Sequence, residues 1–486
     1  MNNFNYYLNK MGEIGYIEQI NGSIVLVTGL PSAIADELVI FETGEIGQIF
    51  AMKKDLLEVL VFSKEPIKPG TKVARTGKNL EAPINDAMLG KIINPLLPLL
   101  LAIDPQNKER LMPVHMLPKG IVERESISKP LETGVSMVDL AIPLAKGQRE
   151  LIIGDRKTGK SSFLLQTALN QTKLGSLCVY AAIGKKTLDI KKIEDFFVKN
   201  KIIDKTVLVA STPEDASGII NITPYLAMTI AESFRDKGHD VLIILDDLTT
   251  HAKVYREISL LAQKFPGRNS YPADTFYMHA KLLERAGNFI TSGGTFAITC
   301  LPVAETAQGD LSGFIQTNLM SMTDGHLYFD SNLFAQGRRP PINPFLSVTR
   351  VGRQTQSQLK HGIGREIISF LNLFEKMQNF IHFGAELSQN IKTTIETGNR
   401  LLKFFNQPMS KTIPTNVQIL LFSLIWNDVW DVKIVEELDK YIDLLIYKYD
   451  NNPMVKEKID ALANKKSFNE LLGSLRKEYK QIVDIS

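Results

Sequence analysis

The chain has 486 residues, a formal net charge of +3 from 56 Lys+Arg against 53 Asp+Glu, and 44% hydrophobic against 22% charged residues. That length exceeds one ordinary core and predicts about three domains, while the composition is globular and excludes long disordered stretches. Nearly balanced charge points to neither nucleic acid nor an anionic membrane, so no nucleic-acid partner is expected.

The first residues, 1–7, lack the basic start and apolar centre of a secretory signal, and no export is expected. From Gly15 to about Thr76 the chain consists of short apolar or alternating runs at 16–20, 23–27, 37–41, 46–50, 58–62 and 71–75. Asn21-Gly22 between the first two is a hairpin signal, and strands at this spacing predict a small barrel. The segment has no interleaved basic and aromatic surface, so the barrel is read as a packing element. A proline-bearing connector follows to Gly147. Its apolar run at 96–103 is interrupted by Pro98 and falls far short of the roughly 20 residues needed to span a bilayer.

Gly154-Asp155-Arg156-Lys157-Thr158-Gly159-Lys160-Ser161 then fills the Gly-x-x-x-x-Gly-Lys-Ser/Thr pattern at every fixed position. Glycines at these places let backbone N–H groups turn toward phosphate oxygens, Lys160 reaches the β and γ phosphates, and the Ser161 hydroxyl is placed for Mg²⁺. An apolar strand at 150–153 precedes the loop, and a helical pattern through Ser162 follows it, which is the context a nucleotide loop requires. Apolar runs at 178–183, 206–210, 240–245 and 295–301 alternate with helical segments, predicting a mostly parallel sheet. The run 241–245 ends in Asp246-Asp247, and Asp246 is the better candidate for the Mg²⁺ water shell. The other use for a terminal Asp is to cap the next helix. Cys178 and Cys300 lie in apolar runs and read as buried free thiols. From about Gln356 onward the period is helical. The fold class is therefore multidomain α/β: an N-terminal β-barrel, a central phosphate-loop nucleotide domain with a mostly parallel sheet, and a C-terminal helical domain.

These residues resemble the α subunit of the F-type rotary ATP synthase head. The resemblance rests on residues 147–156 with Thr158-Gly159-Lys160, on Pro266-Gly267-Arg268 with Tyr271-Pro272, and on Leu282-Leu283-Glu284-Arg285. Gly337, Arg339-Pro340, Ile342-Asn343 and residues 346–352 extend it, and it runs from about Gly12 into the C-terminal helices. It implies a barrel crown over 1–77, a RecA-like nucleotide domain over 78–355 and a helical domain over 356–486. It further implies an alternating hexamer with catalytic β-type subunits around a γ-type shaft, cytoplasmic and peripheral to the membrane, touching it only through other subunits. ATP or ADP with Mg²⁺ would be held without turnover, and Arg350 would reach as an arginine finger into the neighbour's site. Arg156 matches the family's phosphate-loop arginine, and Arg339, Pro340 and Gln407 match its base-contacting residues.

Several positions depart from that pattern. Lys157 replaces a usual glutamine, Met409 stands where a second base-contacting glutamine is expected, and Gly184-Lys185-Lys186 occupies the place of the Gly-Glu-Arg that orients the attacking water in catalytic subunits. An ammonium is no proton acceptor there; it would attract the γ-phosphate. Asp189 has the wrong offset to substitute. The first strand-like run begins at Tyr16, without the long N-terminal extension that docks a stator. The alternatives are a repurposed motor uncoupled from proton transport and a self-sufficient homohexameric ATPase.

Overall fold

Six short strands close into an antiparallel barrel at the start of the chain. Their order around it is Gly15–Asn21, Ile24–Thr28, Leu57–Val61, Ile46–Met52, Glu37–Phe41, Lys72–Asn79 and back to the first. Asn21 pairs with Ile24 across a tight turn in which Gly22 has φ of 59°, the left-handed geometry that Asn-Gly hairpins favour. Val25, Val27, Val39, Phe41, Ile49, Val59 and Val73 fill the core, and closure leaves no open edge. The computed structural model describes residues 3–65, 67–382, 389–409, 411–427 and 434–482. It divides into two compact units, one of residues 1–125, 175–305 and 311–323, the other of 126–174, 306–310 and 324–486.

In the first unit a helix not foreseen from sequence, Asn3–Met11, precedes the barrel and buries Phe4 and Tyr7. Tyr7 Oη donates to the Ile103 carbonyl at 2.8 Å. The apolar run at 96–103 becomes the helix Leu96–Ala102, which buries Pro98, Leu99 and Ala102. The unit's sheet runs Gly294–Thr306, Val241–Asp246, Leu177–Ala182, Thr206–Ala210, Ile92–Ile93, each of these pairs parallel, with Gly287–Thr291 antiparallel along Gly294–Thr306. Its strands are buried throughout their central residues, as a sheet covered on both faces requires. Cys178 and Cys300 are free and buried in two of them.

In the second unit Glu150–Asp155 pairs in parallel with Gly325–Phe329, which pairs antiparallel with Val348–Thr349. The helices Gln358–His382, Gln389–Phe405, Thr415–Trp426, Ile434–Asn451, Pro453–Ala463 and Phe468–Ile482 complete it. Leu359, Ile363, Ile367, Leu371 and Phe374 recur at helical spacing along the first of these and are all buried. Among the described residues no helix is long and apolar enough to cross a membrane.

Candidate nucleotide site

The phosphate loop lies wholly in the second unit. Strand Glu150–Asp155 delivers it and helix Lys160–Lys173 leaves it, the order predicted from sequence. Gly159 at the helix start has φ of 92°, and Lys157 inside the loop has φ of 64°. A Cβ on Gly154 would collide with the Phe329 carbonyl on the adjacent strand, so only glycine lets these two strands pair through the loop entrance. Lys160 is buried and donates from Nζ to the carbonyls of Gly154 (2.8 Å) and Asp155 (2.6 Å). Thr158 Oγ1 donates to the Asp155 carbonyl at 2.7 Å. Arg156 and Ser161 are exposed, and Ser161 and Ser162 sit in the first helical turn, where unpaired N–H groups favour an anion.

The Asp155 side chain has a separate task. Its Oδ1 accepts from Thr306 Oγ1 (2.5 Å) and Gly309 N (2.9 Å), and its Oδ2 accepts from Ser331 Oγ (2.7 Å). Burial alone would raise this carboxyl, but the Ser331 and Thr306 hydroxyls and the Gly309 N–H outweigh it and hold the group below the usual range. Thr306, Gly309 and Ser331 thus fix the loop from outside. Sequence reasoning did not find them, because only the folded chain brings residues some 150 to 176 positions away to Asp155.

A Cβ on Gly159 would lie 3.9 Å from Pro341 Cδ, which puts the loop beside the Arg339-Pro340 segment. The Arg339–Pro340 bond is cis. The Arg339 guanidinium lies 3.7 Å from the Phe334 ring centroid and donates to the Phe334 carbonyl at 2.9 Å. Gln407 donates its backbone N–H to the Arg339 carbonyl at 2.6 Å. Its buried side chain is fully engaged: Nε2 donates to the carbonyls of Gly134 (2.6 Å) and Lys411, while Oε1 accepts from Ser136 N (3.1 Å). Beside Arg339 opens a groove of about 650 Å³, lined by Asn406, Pro408, Lys411, Asp439 and Asp443. Met409 is exposed.

In the first unit, Ala182 is in register with Asp246, so Lys185 emerges next to the end of strand Val241–Asp246. Its ammonium lies 2.7 Å from Asp246 Oδ1 and 3.2 Å from Asp247 Oδ2. Tyr180 Oη donates to Asp246 Oδ2 at 2.7 Å, and Asp247 Oδ1 caps the next helix through Thr250 N at 2.6 Å. The helix-capping role therefore belongs to Asp247. Burial by itself would lower the Lys185 ammonium, but the two carboxylates outweigh it and hold it above the ordinary lysine range. The expected pull of Lys185 on phosphate is thus met inside the chain by two carboxylates. Asp189 is exposed on the helix that follows and pairs with Lys192 at 3.0 Å. Among the described residues no group of three His, Cys, Asp or Glu side chains could hold a metal ion.

Arg350 follows strand Val348–Thr349, and its backbone is anchored: its N–H donates to the Asp324 carbonyl at 3.2 Å. Asp324 in turn grips Arg149, accepting from its backbone N (2.9 Å), Nε (3.2 Å) and Nη2 (2.8 Å). The Arg350 guanidinium is exposed and makes no hydrogen bond or ion pair among the described residues. Burial and then its charge hold His326 below the ordinary histidine value, although a bond to the Leu346 carbonyl opposes them.

Residues 134–349 match the nucleotide-binding domain of the ATP synthase alpha/beta family, and residues 356–482 match the C-terminal domain of its alpha/beta chains. The chain belongs to the ATP synthase alpha/beta family. It is 38% identical over 422 residues to the ATP synthase subunit alpha of Clostridium acetobutylicum, covering 86% of this chain and 84% of that protein. To the subunit alpha of Mycoplasmoides gallisepticum it is 35% identical over 482 residues, 98% of this chain and 92% of the relative. To that of Caldanaerobacter subterraneus subsp. tengcongensis it is 34% identical over 482 residues, 99% and 95% respectively. The barrel, the mostly parallel sheet and the helical C-terminus are the three-part architecture that the resemblance implied for this family.

Proposed function

We propose that the chain is the nucleotide-holding, alpha-type member of an alternating ring with catalytic β-type subunits around a γ-type shaft. The ring is peripheral to the cytoplasmic face of the membrane, and other subunits make the membrane contact. ATP or ADP is the ligand. Its phosphates sit in the cradle of residues 154–161 with Lys160 as counter-charge, and Arg339 and Pro340 lie against the base, with Gln407 bracing them. Ser161 offers an exposed hydroxyl to Mg²⁺. In the first unit Asp246 shares both its carboxylate oxygens with Lys185 and Tyr180.

One observation carries the non-catalytic reading. Hydrolysis needs a carboxylate to orient the attacking water, and the side chain at that position, Lys185, is an ammonium bound by two aspartates. Arg350 has the complementary property: its backbone is tied down while its guanidinium stays exposed and without a hydrogen-bond or ion-pair partner among the described residues, as a group acting on another chain's phosphate must be. Purified full-length chain is expected to bind ATP, to show no multiple turnover, and to lose binding on Lys160→Ala. Sustained hydrolysis by the chain alone, abolished by Lys160→Ala, would overturn the proposal.

A further inference from the structure

A cavity of about 370 Å³ opens within the first unit, among the barrel residues Gln48 and Phe50, helix Ser217–Asp236 and helix Thr275–Glu284. It draws on no residue of the phosphate loop. Asn221 and Tyr225 stand four residues apart on one face of the first of these helices, and both line the cavity. They are only 5% and 4% exposed. Yet neither Asn221 Oδ1 nor Tyr225 Oη has a hydrogen-bond partner among the described residues, and Asp274 Oδ1, a third shielded oxygen of the same lining, has none either. The polar groups around them are satisfied. Arg285 donates to both carboxylate oxygens of Glu232 (3.1 and 2.6 Å), Asp274 Oδ2 accepts from Tyr255 Oη (2.6 Å) and Lys264 Nζ (3.3 Å), and Gln48 Nε2 donates to Asp36 Oδ1 (3.1 Å). The Tyr225 ring is held in place by His115 and His251, which meet it edge-on at centroid distances of 4.6 and 5.8 Å. A buried oxygen without a donor costs stability, so three around one cavity mark a place that a ligand completes.

The charges of the lining decide the chemical class. Lys264 pairs with Asp274 and Arg285 with Glu232, which leaves Lys281 and Asp36 as opposite charges without an ion pair among the described residues. A phosphate group, with its several anionic oxygens, is met by clustered cations, and one remaining lysine does not match it. A zwitterion does. An ammonium offers three donors and no acceptor, the complement of Asn221 Oδ1 and Asp274 Oδ1, while a carboxylate only accepts and suits Lys281 and the Tyr225 hydroxyl. Met116, Met278 and Leu282 add an apolar wall. We propose that this cavity binds a free α-amino acid with an apolar side chain, its ammonium at Asn221 and Asp274 and its carboxylate at Lys281 and Tyr225. The inference goes beyond the nucleotide-binding reading and does not depend on it.

The test is calorimetry on the full-length chain with L-leucine, L-methionine and L-phenylalanine. At least one is expected to bind with a Kd below about 1 mM and to raise the melting temperature as its concentration rises. The amide of that amino acid, which lacks the carboxylate, and its deaminated acid, which lacks the ammonium, should each bind at least about tenfold more weakly, as should the amino acid itself to Lys281→Gln. Tyr225→Phe is expected to weaken binding about tenfold while leaving the urea midpoint of the ligand-free chain unchanged or higher, because it deletes a hydroxyl that has no partner. A lower midpoint in Tyr225→Phe would show that the hydroxyl serves the fold and would overturn the proposal. So would failure of all three amino acids to bind, or equal affinity for the amide and the deaminated acid. A crystal grown with the amino acid that shows only water at Asn221, Tyr225 and Asp274 would overturn it as well.

Discussion

At the scale of single residues, two cations divide the labour of this chain. Lys185 faces inward to Asp246 and Asp247, and Arg350 is exposed without a hydrogen-bond or ion-pair partner among the described residues. Arg350→Ala is therefore expected to leave this chain's melting temperature and ATP affinity unchanged. In a ring reassembled with catalytic subunits it should slow ATP hydrolysis by about 10³-fold or more, the contribution of an arginine finger; unchanged turnover would remove that role. The identity of Lys185 was legible in the sequence, but its engagement was not. Its partners lie 61 and 62 positions away, and only the parallel register of Ala182 with Asp246 brings them together.

Among the elements, the phosphate loop was the most legible because its pattern is local: strand, glycine turn and helix follow one another within some twenty residues. The barrel strands were equally plain from their short apolar runs and turns. The helix Asn3–Met11 was overlooked, although Phe4, Tyr7, Leu8 and Met11 stand at helical spacing, because so short a segment carries little periodic signal. What holds the loop in place is non-local and could not be read. Gly154→Ala would push Glu150–Asp155 away from Phe329 and is expected to cost about 1–3 kcal/mol, as overpacking does. The urea midpoint should fall and ATP affinity with it. Asp155→Ala removes the acceptor of three donors, two of them hydroxyls. It should weaken ATP binding even though the wild-type carboxylate is turned toward Thr306, Gly309 and Ser331.

For the whole molecule, acid sensitivity follows from histidines buried in the first unit. His251 and His279 are joined ring to ring at 2.9 Å, and His251 Nε2 meets the Asn221 carbonyl at 2.9 Å. A carbonyl only accepts, so His251 carries its proton on Nε2 and its Nδ1 accepts from His279 Nε2–H. Burial lowers His251 to about 4, and burial with the Arg285 charge lowers His115 to about 4; burial drives His279 well below the ordinary value. The unfolded chain then binds more protons than the folded one between about pH 4 and the free histidine value near 6.5. Their contribution is complete above that value and is lost on acidification toward 4, at most about 3 kcal/mol for His251. Denaturant midpoints at pH 7 and pH 5 should differ by less in His251→Gln than in wild type. Glu150, pushed up by its own burial, acts in the opposite direction but equally in both proteins, so the difference isolates the histidine.

The Asp324 clasp has a genetic corollary. Both its carboxylate oxygens and its backbone N–H serve Arg149, at the entrance of the strand that carries the phosphate loop, and its carbonyl holds the N–H of Arg350. One codon thus underwrites two traits that otherwise belong to different sites. A screen sorting loss-of-function alleles by nucleotide retention and by ring turnover should find Lys160 alleles among those that lose nucleotide and Arg350 alleles among those that lose turnover alone. Asp324 alleles would combine the two defects, a pleiotropy of a residue whose side chain grips Arg149 and whose backbone carbonyl holds Arg350.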